Sequence, residues 1–332
     1  MLNLLETYFS RFKTKKISDD TISFFIGSYL YPKFISKLQN NQELIIKIEK
    51  LCEPYKKSDF KYIENSKLFE VLSHQEIIVN LLKYPIDQKL KYDFEEVSDI
   101  FQNIINTDIP DHQDWSIRFG YKFQVDKYRK MIFIAKRSLT YQKLKSLIYH
   151  EIGIHMCRQL VPTASPKINR EYSVFEEGLA KMIEITNSCN QKKPYFNLSP
   201  FLLILKQLGL ASEDLITIIT KLKYSQEYYQ KKIVHAANPK YRPLFYYLGY
   251  QKVMYFSYWI ETCDNKTLSL AFEKIVAILL KYSFDPLLIN DIQRLQSNGY
   301  LNFTKDENKA YSKFLKHRLV SRLNNMQKGI IR

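Results

Sequence analysis

Residues 140–160 read TYQKLKSLIYHEIGIHMCRQL, and the reading of this stretch decides the rest. Leu144, Leu147, Ile148, Glu151, Ile152 and His155 fall at relative positions 0, 3, 4, 7, 8 and 11, the recurrence of one face of a helix. The buried stripe of that helix therefore runs into Glu151 and His155. Within it, His150-Glu151-Ile152-Gly153-Ile154-His155 offers two imidazoles with a carboxylate beside the first. This is the H-E-x-x-H pattern of metalloprotease helices with one more residue between the histidines. Catalytic zinc takes three protein ligands and keeps a fourth position for water, whose pKa it lowers toward neutrality. Three ligands and a base are thus the pattern to complete.

The extra residue poses a geometric problem. Five steps of about 100° leave the two histidine side chains about 140° apart on a regular α-helix, too far round to share one ion. One additional residue taken up as a π-bulge returns them to a common face, and such bulges occur mainly at functional sites. Gly153, between the histidines, eases the distortion by lacking a Cβ. The third ligand is expected from a neighbouring helix, where Glu176-Glu177-Gly178-Leu179-Ala180 begins some 20 residues downstream. Gly178 and Ala180 are small enough to let that helix pack closely against the histidine helix. Spacing alone leaves Glu176 and Glu177 tied; the carboxylate that does not bind metal accepts an N–H from a ligand histidine.

Outward from this core, Ile117, Phe119, Tyr121, Phe123 and Val125 alternate strictly and predict a strand. Met131 to Ala135 predicts a second, and with the polar turn 126–130 between them the pair reads as an antiparallel β-hairpin beside the histidine helix. Nearly everything else carries helical periodicity: residues 1 to about 90, Glu171 to about Ser188, Leu202 to Leu208, Asp214 to Leu222, Val253 to Ile260 and Leu268 to Tyr282. Trp115 reads as a core anchor. The expected fold class is α+β, predominantly helical and gluzincin-like. A helical N-terminal region over 1–90 is expected to pack on a catalytic domain over 91–332, as parts of one continuous domain if no linker separates them.

With 332 residues and 45% hydrophobic content the chain can bury a sizeable core. The 25 Tyr and 21 Phe against 8 Gly argue against a Gly-rich nucleotide-binding architecture, and neither P-loop nor dinucleotide fingerprint occurs. A formal net charge of +16 raises the encounter rate with acidic partners. Cys52, Cys157, Cys189 and Cys263 form no C-x-x-C pair, which excludes a thiolate zinc site of that kind and suits a reducing compartment. No run approaches 18 apolar residues and no secretory leader pattern opens the chain, so no membrane span is expected. The expected location is the cytoplasm, or a host cytosol reached by a route independent of a signal peptide. The oligomeric state does not follow from the residues.

At the same residues the chain resembles the family of bacterial QEGLA-motif proteins and eukaryotic microtubule-associated tyrosine carboxypeptidases. The family signature reads L-I-x-H-E-I-G-T-H-x-x-R followed by E-E-G-L-A. Here Leu147-Ile148-Tyr149-His150-Glu151-Ile152-Gly153-Ile154-His155-Met156-Cys157-Arg158 precedes Phe175-Glu176-Glu177-Gly178-Leu179-Ala180. The resemblance implies one Zn²⁺ held by His150, His155 and Glu177, with Glu151 as catalytic residue, and so separates Glu177 from Glu176. It further implies a carboxypeptidase that removes Tyr, Phe or Glu from an acidic protein tail such as that of tubulin. A weaker echo covers Tyr241 to Gly249, where Arg242 stands for the family's Lys, Tyr246 and Gly249 match, and Pro243 replaces its Asp. Ile154 replaces the usual Thr.

In such an enzyme Glu151 takes a proton from the attacking water and passes it to the leaving amine. The terminal carboxylate of the substrate needs a cation, for which Arg158, Arg242 and Lys240 are candidates. Tyr246, Tyr172 and His235 are candidate donors to the developing oxyanion. Other readings are a metalloendopeptidase, or an inert zinc-containing protein that binds an acidic partner, against which the intact Glu151 speaks. Nucleic-acid binding calls for clustered Arg/Lys with interleaved aromatics, which Lys313 to Leu319 echoes only weakly.

Overall fold

The computed structural model describes residues 19–26, 30–56, 67–73, 85–109, 114–126, 129–159, 170–186, 198–221, 242–282 and 284–317. The chain divides into two compact units, one of residues 1–63, 194–248 and 316–332, the other of 64–193 and 249–315. Residues 67–73, expected in the N-terminal region, fall in the second unit. The reason is that they form α4 (Lys67–Ser73), which packs on elements of the second unit named below.

The first unit holds α1 (Asp19–Ile26), α2 (Leu30–Ser36), α3 (Gln42–Cys52) with a 3₁₀ turn Glu53–Tyr55, α9 (Leu198–Gln207) and α10 (Ser212–Lys221). In α3, Asn41 caps the N-terminus by accepting from the Leu44 N–H, and Leu44, Ile45, Ile48 and Cys52 form the buried stripe. Phe34 of α2 stacks on Phe201 of α9 with ring centroids 5.2 Å apart.

The second unit contains the histidine segment. Here α5 (Phe94–Asp108) opens on a capping box between Asp93 and Glu96 and buries Val97, Phe101, Ile104 and Ile105. It packs on a three-stranded sheet of β1 (Ser116–Gly120), β2 (Gln124–Asp126) and β3 (Met131–Ala135). Next come α6 (Tyr141–Leu147), capped by Thr140, the π-helical segment Ile148–Met156 and the single turn α7 (Cys157–Gln159). After these stand α8 (Arg170–Thr186), the part of α11 (Arg242–Thr262) from Gly249 onward, α12 (Lys266–Ile278), α13 (Ile289–Ser297) and α14 (Lys305–Leu315). α4 lies against α8 and α12.

The sheet departs from the expected hairpin. The order is β1-β3-β2, with β1 parallel to β3 and β2 antiparallel to it. Only β2 and β3 form the hairpin; the single strand expected over 117–125 breaks between Gly120 and Gln124 and its first half crosses to the far side of β3. The alternation that suggested one strand does not report one buried face, because Phe119 and Tyr121 are exposed while Phe123 is buried against Phe101. Trp115 is buried, as a core anchor is.

α11 is longer than its periodicity suggested, since every residue from Tyr250 to Ser257 is buried and a helix covered on all sides carries no amphipathic stripe. Phe256, Trp259, Phe272, Tyr311 and Phe314 interlock edge to face between α11, α12 and α14. The fold is α+β: mostly helical with a small mixed sheet. Among the described residues no helix is long and apolar enough to cross a membrane.

Candidate metal centre

The distortion required by H-E-x-x-x-H is present and larger than a single bulge, extending over the nine residues Ile148–Met156. Its i→i+5 bonding is seen at its end, where the Cys157 N–H donates to the Ile152 carbonyl. Residues five apart then share a face. His150 and His155 consequently stand with ring centroids 4.9 Å apart and their Nε2 atoms 3.2 Å apart. Gly153 lies inside the segment without a positive φ, so a left-handed backbone is not what places it there.

α8 runs along the π segment and supplies the carboxylates. Glu177 Oε2 lies 3.5 Å from His150 Nε2 and 3.3 Å from His155 Nε2. The close approach of α8 is secured on its other neighbour: a Cβ on Gly178 would stand 2.0 Å from the Gly249 carbonyl of α11. A Cβ on Gly249 would in turn meet the Val174 carbonyl at 2.0 Å. Gly178 was expected to serve the contact with the histidine helix; it serves the α8–α11 crossing instead and so sets the position of Glu177 from behind.

Among the described residues His150, His155 and Glu177 form the one group of three His, Cys, Asp or Glu side chains whose ligand atoms converge within 4.8 Å. The edges of their triangle, 3.2, 3.3 and 3.5 Å, match the roughly 3.3 Å that separates neighbouring ligands on a tetrahedral zinc bound at about 2.0–2.1 Å. Glu177 Oε2, the atom facing both imidazoles, is buried and accepts no hydrogen bond. A buried carboxylate oxygen in that condition is costly unless a cation meets it, either a metal ion or the protonated imidazoles 3.3 and 3.5 Å away. The residues fit a metal ion.

Behind the triangle each histidine backs onto a carboxylate. His155 Nδ1 lies 2.7 Å from Glu176 Oε1, and His150 Nδ1 lies 3.2 Å from Glu184 Oε2, out of line for a straight hydrogen bond. Glu184 in turn faces Lys143 at 3.2 Å and Lys181 at 2.5 Å. The expectation that one of the paired glutamates backs a histidine thus falls to Glu176. Glu184 was missed, although a signal existed: it follows Glu177 by two helical turns and shares its face.

Burial opposes a proton on either histidine, but Glu177 and Glu184 outweigh it at His150, as Glu177 and Glu176 do at His155, and both are held above the ordinary imidazole value. Burial likewise pushes Glu177 and Glu184 up, and the facing histidines, with Lys181 and Lys143 at Glu184, pull both well below the carboxylate range. The metal-free centre is thus a set of carboxylates compensated by protons that an ion would displace.

Glu151 is buried within the π segment, and its charge helps to hold the His150 proton. Arg158 is fully buried, so its expected role in gripping a substrate carboxylate is corrected: no part of it reaches solvent. Arg242 opens α11, with its side chain outside the described residues; Tyr246, one turn on, is half-buried and belongs to the first unit. The Tyr172 side chain, His235 and Lys240 lie outside the described residues. Comparison with protein-family models, curated proteins and solved structures gives no match for this chain.

Proposed function

We propose that this protein is a zinc metallopeptidase of gluzincin type, with one Zn²⁺ held by His150, His155 and Glu177 and with Glu151 as general base. The observation that carries the reading is the ligand triangle, whose edges of 3.2–3.5 Å enclose a buried carboxylate oxygen without a hydrogen-bond partner. Zinc bound there supplies a Lewis acid that acidifies water and polarises a carbonyl. The chain's own residues do the remainder. Glu176 and Glu184 orient the imidazoles from behind, and Glu151 accepts the proton of the attacking water and returns it to the leaving amine. β2 lies beside the π segment at an edge of the sheet, where an extended peptide can add as a further strand.

The resemblance of HEIGIH and EEGLA to the tyrosine carboxypeptidase and QEGLA-motif family supports removal of a C-terminal Tyr, Phe or Glu. The net charge of +16 supports an acidic protein tail, such as that of tubulin, as the substrate, met in a cytosol. Metal analysis of wild type and His155→Ala, with release assays on peptides ending in Tyr, Phe or Glu, tests this. Wild type is expected to carry one zinc and His155→Ala none, while Glu151→Gln keeps its zinc and loses about 10²–10⁴-fold in release rate. Stoichiometric zinc in His155→Ala would sink the ligand set. Zinc without hydrolysis of any terminal or internal bond would point instead to an inert zinc protein that binds an acidic partner.

A further inference from the structure

Three residues beyond His155, Arg158 heads the largest wholly buried side chains among the described residues. A guanidinium keeps its charge at all relevant pH, so burying it demands partners for its fork of donors. Nη2 donates to the Tyr282 carbonyl at 3.2 Å and the Phe284 carbonyl at 3.1 Å, while Nε stands 3.7 Å from Glu176 Oε2. The other oxygen of the same carboxylate, Oε1, is the one 2.7 Å from His155 Nδ1. Glu176 is therefore hydrogen-bonded at one oxygen, to the histidine, and at the other faces the arginine charge at ion-pair distance, beyond hydrogen-bond range.

We propose that Arg158 is a positioning residue of the metal centre. It fixes the Glu176 carboxylate, and Glu176 fixes the plane of the His155 ring and the tautomer whose Nε2 points at the ion. Arg158 is suited to this because it faces three separate pieces of chain at once: its own turn α7, α8 through the charge of Glu176, and the carbonyls of Tyr282 and Phe284. A planar fork reaches all of them; the single ammonium of lysine does not. The segment it grips is itself anchored, since Asp285 pairs with buried Lys252 of α11 and the Asp285 N–H donates to Asp291 Oδ2 at 2.6 Å. The His150 arm is built differently. Its carboxylate, Glu184, is backed by two lysines whose side chains are 44% and 16% exposed, so it is the adjustable arm and His155 the rigid one.

This inference rests on the zinc reading above, and the test separates the two. Zinc affinity of the full chain is measured by chelator competition for wild type, Glu176→Gln, Arg158→Lys and the double variant. Thermal melts of the metal-free forms and the visible absorption of the Co²⁺ forms accompany it. Each single change is expected to weaken zinc about 10–100-fold, the range for residues that orient a ligand, and to shift the Co²⁺ bands. The double variant is expected to be no weaker than the weaker single, because the two residues act through one linkage. Lys143→Ala, which leaves Lys181 on Glu184, is expected to change affinity less than about fivefold, as for a part-exposed ion pair. Arg158→Lys that melts earlier yet binds zinc like wild type would mark a purely structural arginine and overturn the proposal, as would single effects that multiply in the double variant. If Arg158→Lys does not fold, Arg158→Gln, which keeps an N–H donor, takes its place in the same cycle. Wild type without zinc overturns both readings; a wild type with zinc and an indifferent Arg158 overturns this one alone.

Discussion

At the scale of single residues the centre is a contest between burial and charge. His150 and His155 carry protons more tightly than the free imidazole value of 6.5, because buried carboxylates compensate them. Their contribution to folding is present below that value and is lost as pH rises through the raised folded pKa values. Glu177 and Glu184 lie below the free value of 4.5, so their contribution is present above it and is lost as pH falls through the lowered folded values. The metal-free protein is therefore best stabilised by these groups between the two reference values. A metal ion held there would need neutral imidazoles and would reverse the alkaline limb. Melting scans from about pH 5.5 to about 8.5 are expected to show a falling midpoint without zinc and a rising one with saturating zinc. A metal-free midpoint that climbs across this range would contradict the charge assignment. At this scale the sequence was informative about Glu177 but assigned Arg158 to the substrate carboxylate, because its burial depends on a segment more than 120 residues away.

At the scale of elements, the π segment and the α8–α11 crossing do the positioning. The need for a helix defect was legible, because H-E-x-x-x-H is local and helix geometry alone forbids the regular alternative. Its nine-residue extent was not, since that depends on which carbonyls the packed neighbours leave free. The crossing of α8 on α11 has no room for a methyl group at Gly178. Gly178→Ala is expected to destabilise the fold by about 3 kcal/mol in urea unfolding and to weaken zinc as well, because the clash moves the backbone next to Glu177. An alanine variant as stable as wild type would show that the helices can separate without loss. The sheet teaches the opposite lesson from the helix. Alternation from Ile117 to Val125 identified strand-like chain, yet the parallel pairing of β1 with β3 was decided by residues outside that run.

At the scale of the whole molecule, the second unit is held by a buried polar seam that sequence inspection would assign to the surface. Lys252 and Asp285 are both buried and paired with each other, on a helix and a segment distant in the chain. Lys252→Met removes one charge and strands the other, and a loss of about 3–5 kcal/mol is expected in urea unfolding. A loss under about 1 kcal/mol would mean that Asp285 finds its compensation elsewhere. Because Asp285 adjoins the carbonyls that Arg158 grips, the same seam links the C-terminal helices to the His155 side of the centre. The unit boundaries were illegible for a related reason: α4 joins the second unit through packing on α8 and α12, and no change of composition marks that choice.

The sequence by itself determined which residue types could hold a metal ion, the helical frame of His150 and His155, the requirement for a π distortion and the mostly helical class. These follow from backbone sterics and periodicity acting over one or two turns. Only the tertiary structure decided that Glu184 backs His150, that Arg158 is buried behind Glu176, that Gly178 meets Gly249 and that β1 lies across β3. Each of those depends on which distant segment fills the space beside a residue, and neighbours along the chain carry no record of that competition.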